Sequence, residues 1–132
     1  MSKPVILCVD DEEAVLESLK AQLKSALGNS YRYEMAEDAN EALELIDKLV
    51  EKYVTIILIV SDWLMPGMKG DDFLINIHQK YPKIIKIMLT GQADEAAIER
   101  SIQEANLYCC LSKPWSEAEL VEAIQSALRN YE

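Results

Sequence analysis

Four short stretches of this 132-residue sequence carry side chains able to hold a metal ion or act on a phosphoryl group: Asp10-Asp11, Ser61-Asp62, Thr90-Gly91 and Lys113-Pro114. Singly, each has a plainer use. An acidic pair ahead of a helix caps it, Asp62 before Trp-Leu-Met-Pro-Gly opens a turn, Thr90-Gly91 suits a loop, and Lys113 suits a surface. Together they argue differently, because three carboxylates gathered in one place raise their own pKa values unless a cation sits among them. An all-oxygen site selects a hard ion. Mg²⁺ fits best, with Mn²⁺ as the alternative, since it binds through one or two carboxylates, keeps several waters and leaves a position for a phosphate oxygen. No His or Cys stands where zinc would need it. A carboxylate beside such an ion, with an ammonium and a hydroxyl close by, can attack phosphorus and hold the equatorial oxygens. Asp62 is then the candidate nucleophile, Asp10 and Asp11 the metal-holding pair, and Thr90 and Lys113 the groups that steady the phosphoryl oxygens.

For these residues to meet, the fold must bring them to one edge. Short apolar runs at Val5 to Val9, Tyr31 to Ala36, Ile56 to Val60, Ile84 to Leu89 and Leu107 to Leu111 read as strands, each followed by a stretch of helical period. The helical faces are Val15, Leu16, Leu19, Leu23, Leu27; Ala39, Ala42, Leu43, Ile46, Leu49, Val50; Phe73, Leu74, Ile77; Ile98, Ile102, Ala105; and Leu120, Val121, Ile124, Leu128. Gly28 suits a helix C-cap, while Asp38 to Glu41 and Ser116 to Glu119 resemble capping boxes. Strands one, three and four are apolar almost throughout, as expected for central strands of a parallel sheet, whereas Tyr31 to Met35 alternates like an edge. Right-handed crossovers then favour an α/β, flavodoxin-like three-layer sandwich, a doubly wound five-stranded parallel sheet in the order 2-1-3-4-5. Ligands of such sheets bind beyond the carboxyl ends of the strands, beside the reversal of winding, and there the four stretches fall.

Composition narrows the class. The length suits one domain over 1–132, and 50% hydrophobic with 27% charged residues is ordinary globular composition. A formal charge of -10 argues against direct nucleic-acid binding. The longest apolar run, Val54 to Val60, is too short to span a bilayer and no signal-peptide pattern opens the chain, so a cytoplasmic location away from the membrane is expected. Cys8, Cys109 and Cys110 match neither a disulfide framework nor a metal spacing.

The stretches Val9-Asp10-Asp11-Glu12, Ser61-Asp62-Trp63-Leu64-Met65-Pro66-Gly67, Thr90-Gly91 and Lys113-Pro114 resemble the receiver domain of two-component response regulators, over nearly the whole chain. The resemblance implies a phosphoacceptor at Asp62, with Asp11 and Asp62 as direct Mg²⁺ ligands, Asp10 acting through water, and Leu64 lending its backbone carbonyl. It implies a Thr90 hydroxyl that swings toward the phosphoryl group, a Lys113 that pairs with it, and a cis Lys113–Pro114 bond. The implied donor is a sensor histidine kinase, a phosphotransfer protein or a small phosphodonor. The implied output is the face of the fourth helix, fifth strand and fifth helix, with homodimerisation through it and an output domain in a longer parent protein as further partners. Leu64 and Gln92 occupy the positions that steer the attacking water, and an apolar Leu64 predicts slow-to-moderate loss of the phosphoryl group.

The pattern departs from the family at Cys110, where receivers usually carry Tyr or Phe. Tyr108, two residues earlier, is the candidate for the missing ring. Two other classes remain in play: an enzyme transferring or hydrolysing phosphate on external substrates, and an interaction domain that never takes phosphate. Against the first, no acid or base stands two residues after Asp62; against the second, the crowded charges would serve nothing. The chain is therefore expected to be a signalling module and not an enzyme beyond its own phosphorylation and dephosphorylation. His78, the only histidine, reads as part of an ordinary amphipathic helix end, and Trp63 and Trp115 as packing near the site.

Overall fold

A computed structural model of the chain describes residues 3–91 and 95–131. Strands β1 (Val5–Val9), β2 (Arg32–Ala36), β3 (Ile56–Asp62), β4 (Ile85–Thr90) and β5 (Cys109–Ser112) alternate with helices α1 (Glu13–Leu27), α2 (Ala39–Glu51), α3 (Gly70–Lys80), α4 (Glu95–Ala105) and α5 (Glu117–Arg129). All strand pairings are parallel and the order is β2-β1-β3-β4-β5, as the sequence predicts.

The sheet is a wall between two apolar layers. Alternate residues of each strand point to opposite faces, so Val5, Leu7 and Val9 pack with α2 and α3 while Ile6 and Cys8 pack with α1 and α5. This is why β1 and β3 are buried along their whole length and read as unbroken apolar runs. The helix stripes are those expected, with two exceptions. Val50 of α2 is exposed, and so is Ile102, because α4 turns its small residues Ala97, Ser101 and Ala105 inward and lies close to α3.

The ends follow the local signals. Gly28 takes a positive φ of 68° and its N–H returns to the Lys24 carbonyl. Ser116 and Glu119 form a reciprocal capping box, whereas at Asp38 the side chain accepts from the Glu41 N–H as one half of such a box. β5 begins at Cys109 and not at Leu107, since the Leu107 N–H is held by the Ser101 carbonyl and Asn106 has a φ of 53°. Among the described residues no helix is long and apolar enough to cross a membrane.

Lys86 is a feature the apolar pattern of β4 concealed. Its side chain lies wholly within the α3-side layer, 1% exposed, and its ammonium donates to His78 Nδ1 at 2.9 Å. Burial pushes the Lys86 pKa down to about 8, and burial together with this neighbour lowers that of His78. A depressed lysine pKa means the charged form costs stability, in full below about pH 8 and not at all above the unfolded value. Lys86→Met is expected to raise the unfolding free energy at pH 7 by roughly 1–2 kcal/mol, with a smaller gain at pH 10, as read by urea denaturation at the two pH values.

Candidate functional site

β1 and β3 are neighbours because the winding direction reverses between them, and their carboxyl ends carry Asp10-Asp11 and Ser61-Asp62. Asp10 is fully buried just beyond β1, its Oδ1 accepting from the Glu12 N–H at 2.9 Å and so ordering the turn into α1. Asp62 is the last residue of β3 and 4% exposed, so β3 runs two residues beyond the expected end at Val60. Asp11 points to solvent. One carboxylate oxygen from each of Asp10, Asp11 and Asp62 lies within 4.8 Å of the others.

Lys113 reaches this cluster from the far side of the sheet. Its backbone N–H donates to the Thr90 carbonyl at 2.7 Å, which fixes the residue beyond β5, and the Lys113–Pro114 bond is cis as the resemblance implies. From there the Lys113 ammonium donates to Asp10 Oδ2 at 2.8 Å and lies 3.1 Å from Asp62 Oδ1 and 3.8 Å from Glu12 Oε1. Burial of the ammonium opposes its charged form, but the hydrogen bonds to Asp10 and Asp62 outweigh it and the Lys113 pKa is raised.

One ammonium cannot balance three carboxylates. The Asp62 pKa is pushed up to about 6, first by burial and then by Asp10 and Asp11, against the lowering effect of the Lys113 hydrogen bond and charge. The donors are all oxygens and the residual charge is negative, the conditions under which a hard divalent cation binds. The group therefore fits Mg²⁺ or Mn²⁺ on its own chemistry.

Above the cluster opens a cavity of about 720 Å³ lined by Asp11, Glu12, Asp62, Leu64, Met65, Pro66, Gly91 and Lys113. The sequence-predicted Asp10, Asp11, Asp62, Leu64 and Lys113 are thus brought together. Thr90 ends β4 one strand over, buried, and its hydroxyl takes a weak contact from the Cys110 thiol at 3.7 Å, while its neighbour Gly91 lines the cavity. Gln92 lies outside the described residues. Tyr108 does not take the place of an aromatic at Cys110: its hydroxyl bonds Ser126 and Asn130 at the end of α5. The three cysteines are free, and Cys109 and Cys110 point into opposite layers.

Two features were not singled out from sequence. Glu12 joins the cavity wall, and an acid next to Asp10-Asp11 was a visible signal for it. The Trp63 indole donates to Asp71 Oδ1 at 3.2 Å, which nothing in the spacing announced.

Comparison with known proteins agrees with this geometry. Residues 6–125 match the family model described as the response regulator receiver domain. The hydrogenase transcriptional regulatory protein HoxA of Cupriavidus necator is 30% identical over 93% of this chain and 24% of its own length. The chain spans about a quarter of the length of the first curated relatives it matches. Among solved structures, the signal receiver domain of an HD domain-containing protein from Pseudomonas fluorescens Pf-5 superposes with a TM-score of 0.87 at 36% identity, covering 98% of this chain and 97% of that one. A CheY-like response regulator receiver domain protein from Methanospirillum hungatei JF-1 gives 0.86 at 31% identity, over 98% and 97%.

The raised Asp62 pKa sets the sign of a stability test. Ionised Asp62 costs stability above about pH 6, and the cost is gone below the unfolded carboxylate value. Without added divalent ion, Asp62→Asn is expected to raise the unfolding free energy at pH 7 by roughly 1–2 kcal/mol, the two proteins converging near pH 4. Added Mg²⁺ should close the gap by stabilising the wild type; a variant less stable than wild type at pH 7 would contradict the charge-crowding account.

Proposed function

The chain belongs to the response regulator receiver domain family, and from that premise we propose that it is a Mg²⁺-dependent phosphoacceptor that takes a phosphoryl group onto Asp62 in two-component signalling. The single observation that carries the reading is the cluster of Asp10, Asp11 and Asp62 with, among the described residues, only the Lys113 ammonium against it.

In the proposed reaction a carboxylate oxygen of Asp62 attacks phosphorus, a new P–O bond forms, and the P–N bond of a phosphohistidine or the P–O bond of a small acyl phosphate breaks. The leaving imidazole or carboxylate departs with the bonding electrons. The strand end holds Asp62 in place before reaction, so little ordering remains to be done in the transition state. Lys113, already 3.1 Å from Asp62 Oδ1, meets the growing charge on the phosphoryl oxygens. Thr90 supplies a hydroxyl to the same oxygens once it leaves Cys110. A divalent ion held by Asp10, Asp11, Asp62 and the Leu64 carbonyl would neutralise charge on both the carboxylates and the phosphoryl group. Esterification replaces the single negative charge of Asp62 with the greater charge of a phosphoryl group, so the need for Lys113 and for a divalent ion grows as the product forms.

The donor we assign is a sensor histidine kinase or phosphotransfer protein, and the output face is α4, β5 and α5. The relatives are about two to eight times longer than this chain, and one similar structure comes from an HD domain-containing protein, which supports an output domain in a longer parent. An enzyme acting on external phosphate esters is disfavoured, because the exposed Leu64 offers no acid or base to the cavity.

Acetyl-phosphate labelling tests the reading directly. The wild type should add one phosphoryl mass with Mg²⁺ and none after chelation, Asp62→Asn should add none, and Lys113→Ala should label at least ~10-fold more slowly, the loss of about one charge-assisted contact in the transition state. Label on another residue, or equal labelling after chelation, would end the proposal.

A further inference from the structure

Trp63 follows the proposed phosphoacceptor and is tied at three points. Its N–H donates to the Leu89 carbonyl of β4 at 2.9 Å and its own carbonyl accepts from the Gly70 N–H at 2.7 Å, so the loop from Leu64 to Lys69 is closed at its base. Gly70 must be glycine for this closure, since a Cβ there would stand 2.3 Å from the Asp62 carbonyl oxygen. The third tie is the indole N–H on Asp71 Oδ1. Lys69 lies over the ring, 5.2 Å from its centroid.

The same Asp71 carries the contact onward. Its Oδ2 accepts from Arg100 of α4 at 3.1 Å, and that guanidinium nitrogen also donates to Asp72 Oδ1 at 2.7 Å, while Arg100 Nε faces Glu104 Oε2 at 3.5 Å. The pairs with Asp72 and Glu104 are solvent-exposed and worth little by themselves. Asp71 is another matter, being a buried carboxylate that needs its donors. Without Arg100 it keeps a neutral indole N–H but loses its cation, and it must then move toward water and release or drag Trp63.

A continuous path of bonded groups therefore runs from Asp62 through Trp63 and Asp71 to Arg100 of α4. Resting on the Asp62 reading above, we infer that Arg100 is a positioning residue for the phosphorylation site: through Asp71 and Trp63 it joins the loop after Asp62 to α4, so that a change at Asp62 displaces α4 and the seating of α4 in turn sets the loop. The coupling is reciprocal by thermodynamic necessity. It gives the output helix a connection through α3 that does not use β5, where Cys110 presents a thiol and not a ring to Thr90.

Amide NMR with Mg²⁺ and beryllofluoride, a phosphoryl mimic, tests this with the Trp63 indole N–H as an internal reporter. In the wild type, addition should shift the amides around Asp62 and Lys113, the Trp63 indole and the amides of residues 97–105. In Trp63→Phe and in Arg100→Gln the shifts around Asp62 and Lys113 should persist while those of residues 97–105 fall by about half or more, and Arg100→Lys should recover part of them. Undiminished shifts of residues 97–105 in both variants would overturn the coupling while leaving the phosphoacceptor standing. A wild type silent even at Asp62 would overturn both.

Discussion

Lys113 bridges Asp10 and Asp62 with a single ammonium, while a third carboxylate, Asp11, faces the same space from the solvent side. That shortage of positive charge is the constraint to which the site answers. Asp10 can be fully buried because Lys113 donates to it, and once Asp10 is satisfied the ammonium has less to give Asp62, whose carboxyl is left well above the usual range. The deficit is stored in the folded chain, available to whatever cation relieves it.

Holding like charges together requires a support that does not yield. β3 supplies it, buried along all its residues and paired on both sides, so that Asp62 projects from a strand packed on every side. Lys113 belongs to the edge, yet its backbone is fastened to Thr90 of β4, which places nucleophile and ammonium on adjoining parts of one hydrogen-bonded ladder. The loop closed by Trp63 and Gly70 joins this strand to α3.

Much of this was legible in the sequence because the signals were local or periodic. The unbroken apolar runs of β1 and β3 and the nearly unbroken one of β4 gave their central places, and the residues past the strands gave the cluster of Asp10, Asp11, Asp62 and Lys113. Strand bounds drifted where tertiary hydrogen bonds overrode pattern, as at Leu107, held by Ser101 of α4. Lys86 was hidden inside an apolar run because its partner, His78, sits on a different element, and pattern alone does not pair a lysine on a strand with a histidine on a helix. Trp63, Asp71 and Arg100 were hidden for the same reason, the last of them standing far along the chain from the first. Tyr108 shares a face with Cys110 by strand period, but the chain is not yet a strand there, and the period does not apply.

Every helix in the fold follows a strand, so the amino ends of all five point the same way, toward the rim that holds Asp62. Each peptide dipole contributes partial positive charge at that rim, within a molecule whose formal net charge is -10. That partial charge faces the crowded carboxylates of Asp10, Asp11 and Asp62, so the backbone itself eases a burden that one ammonium leaves unmet.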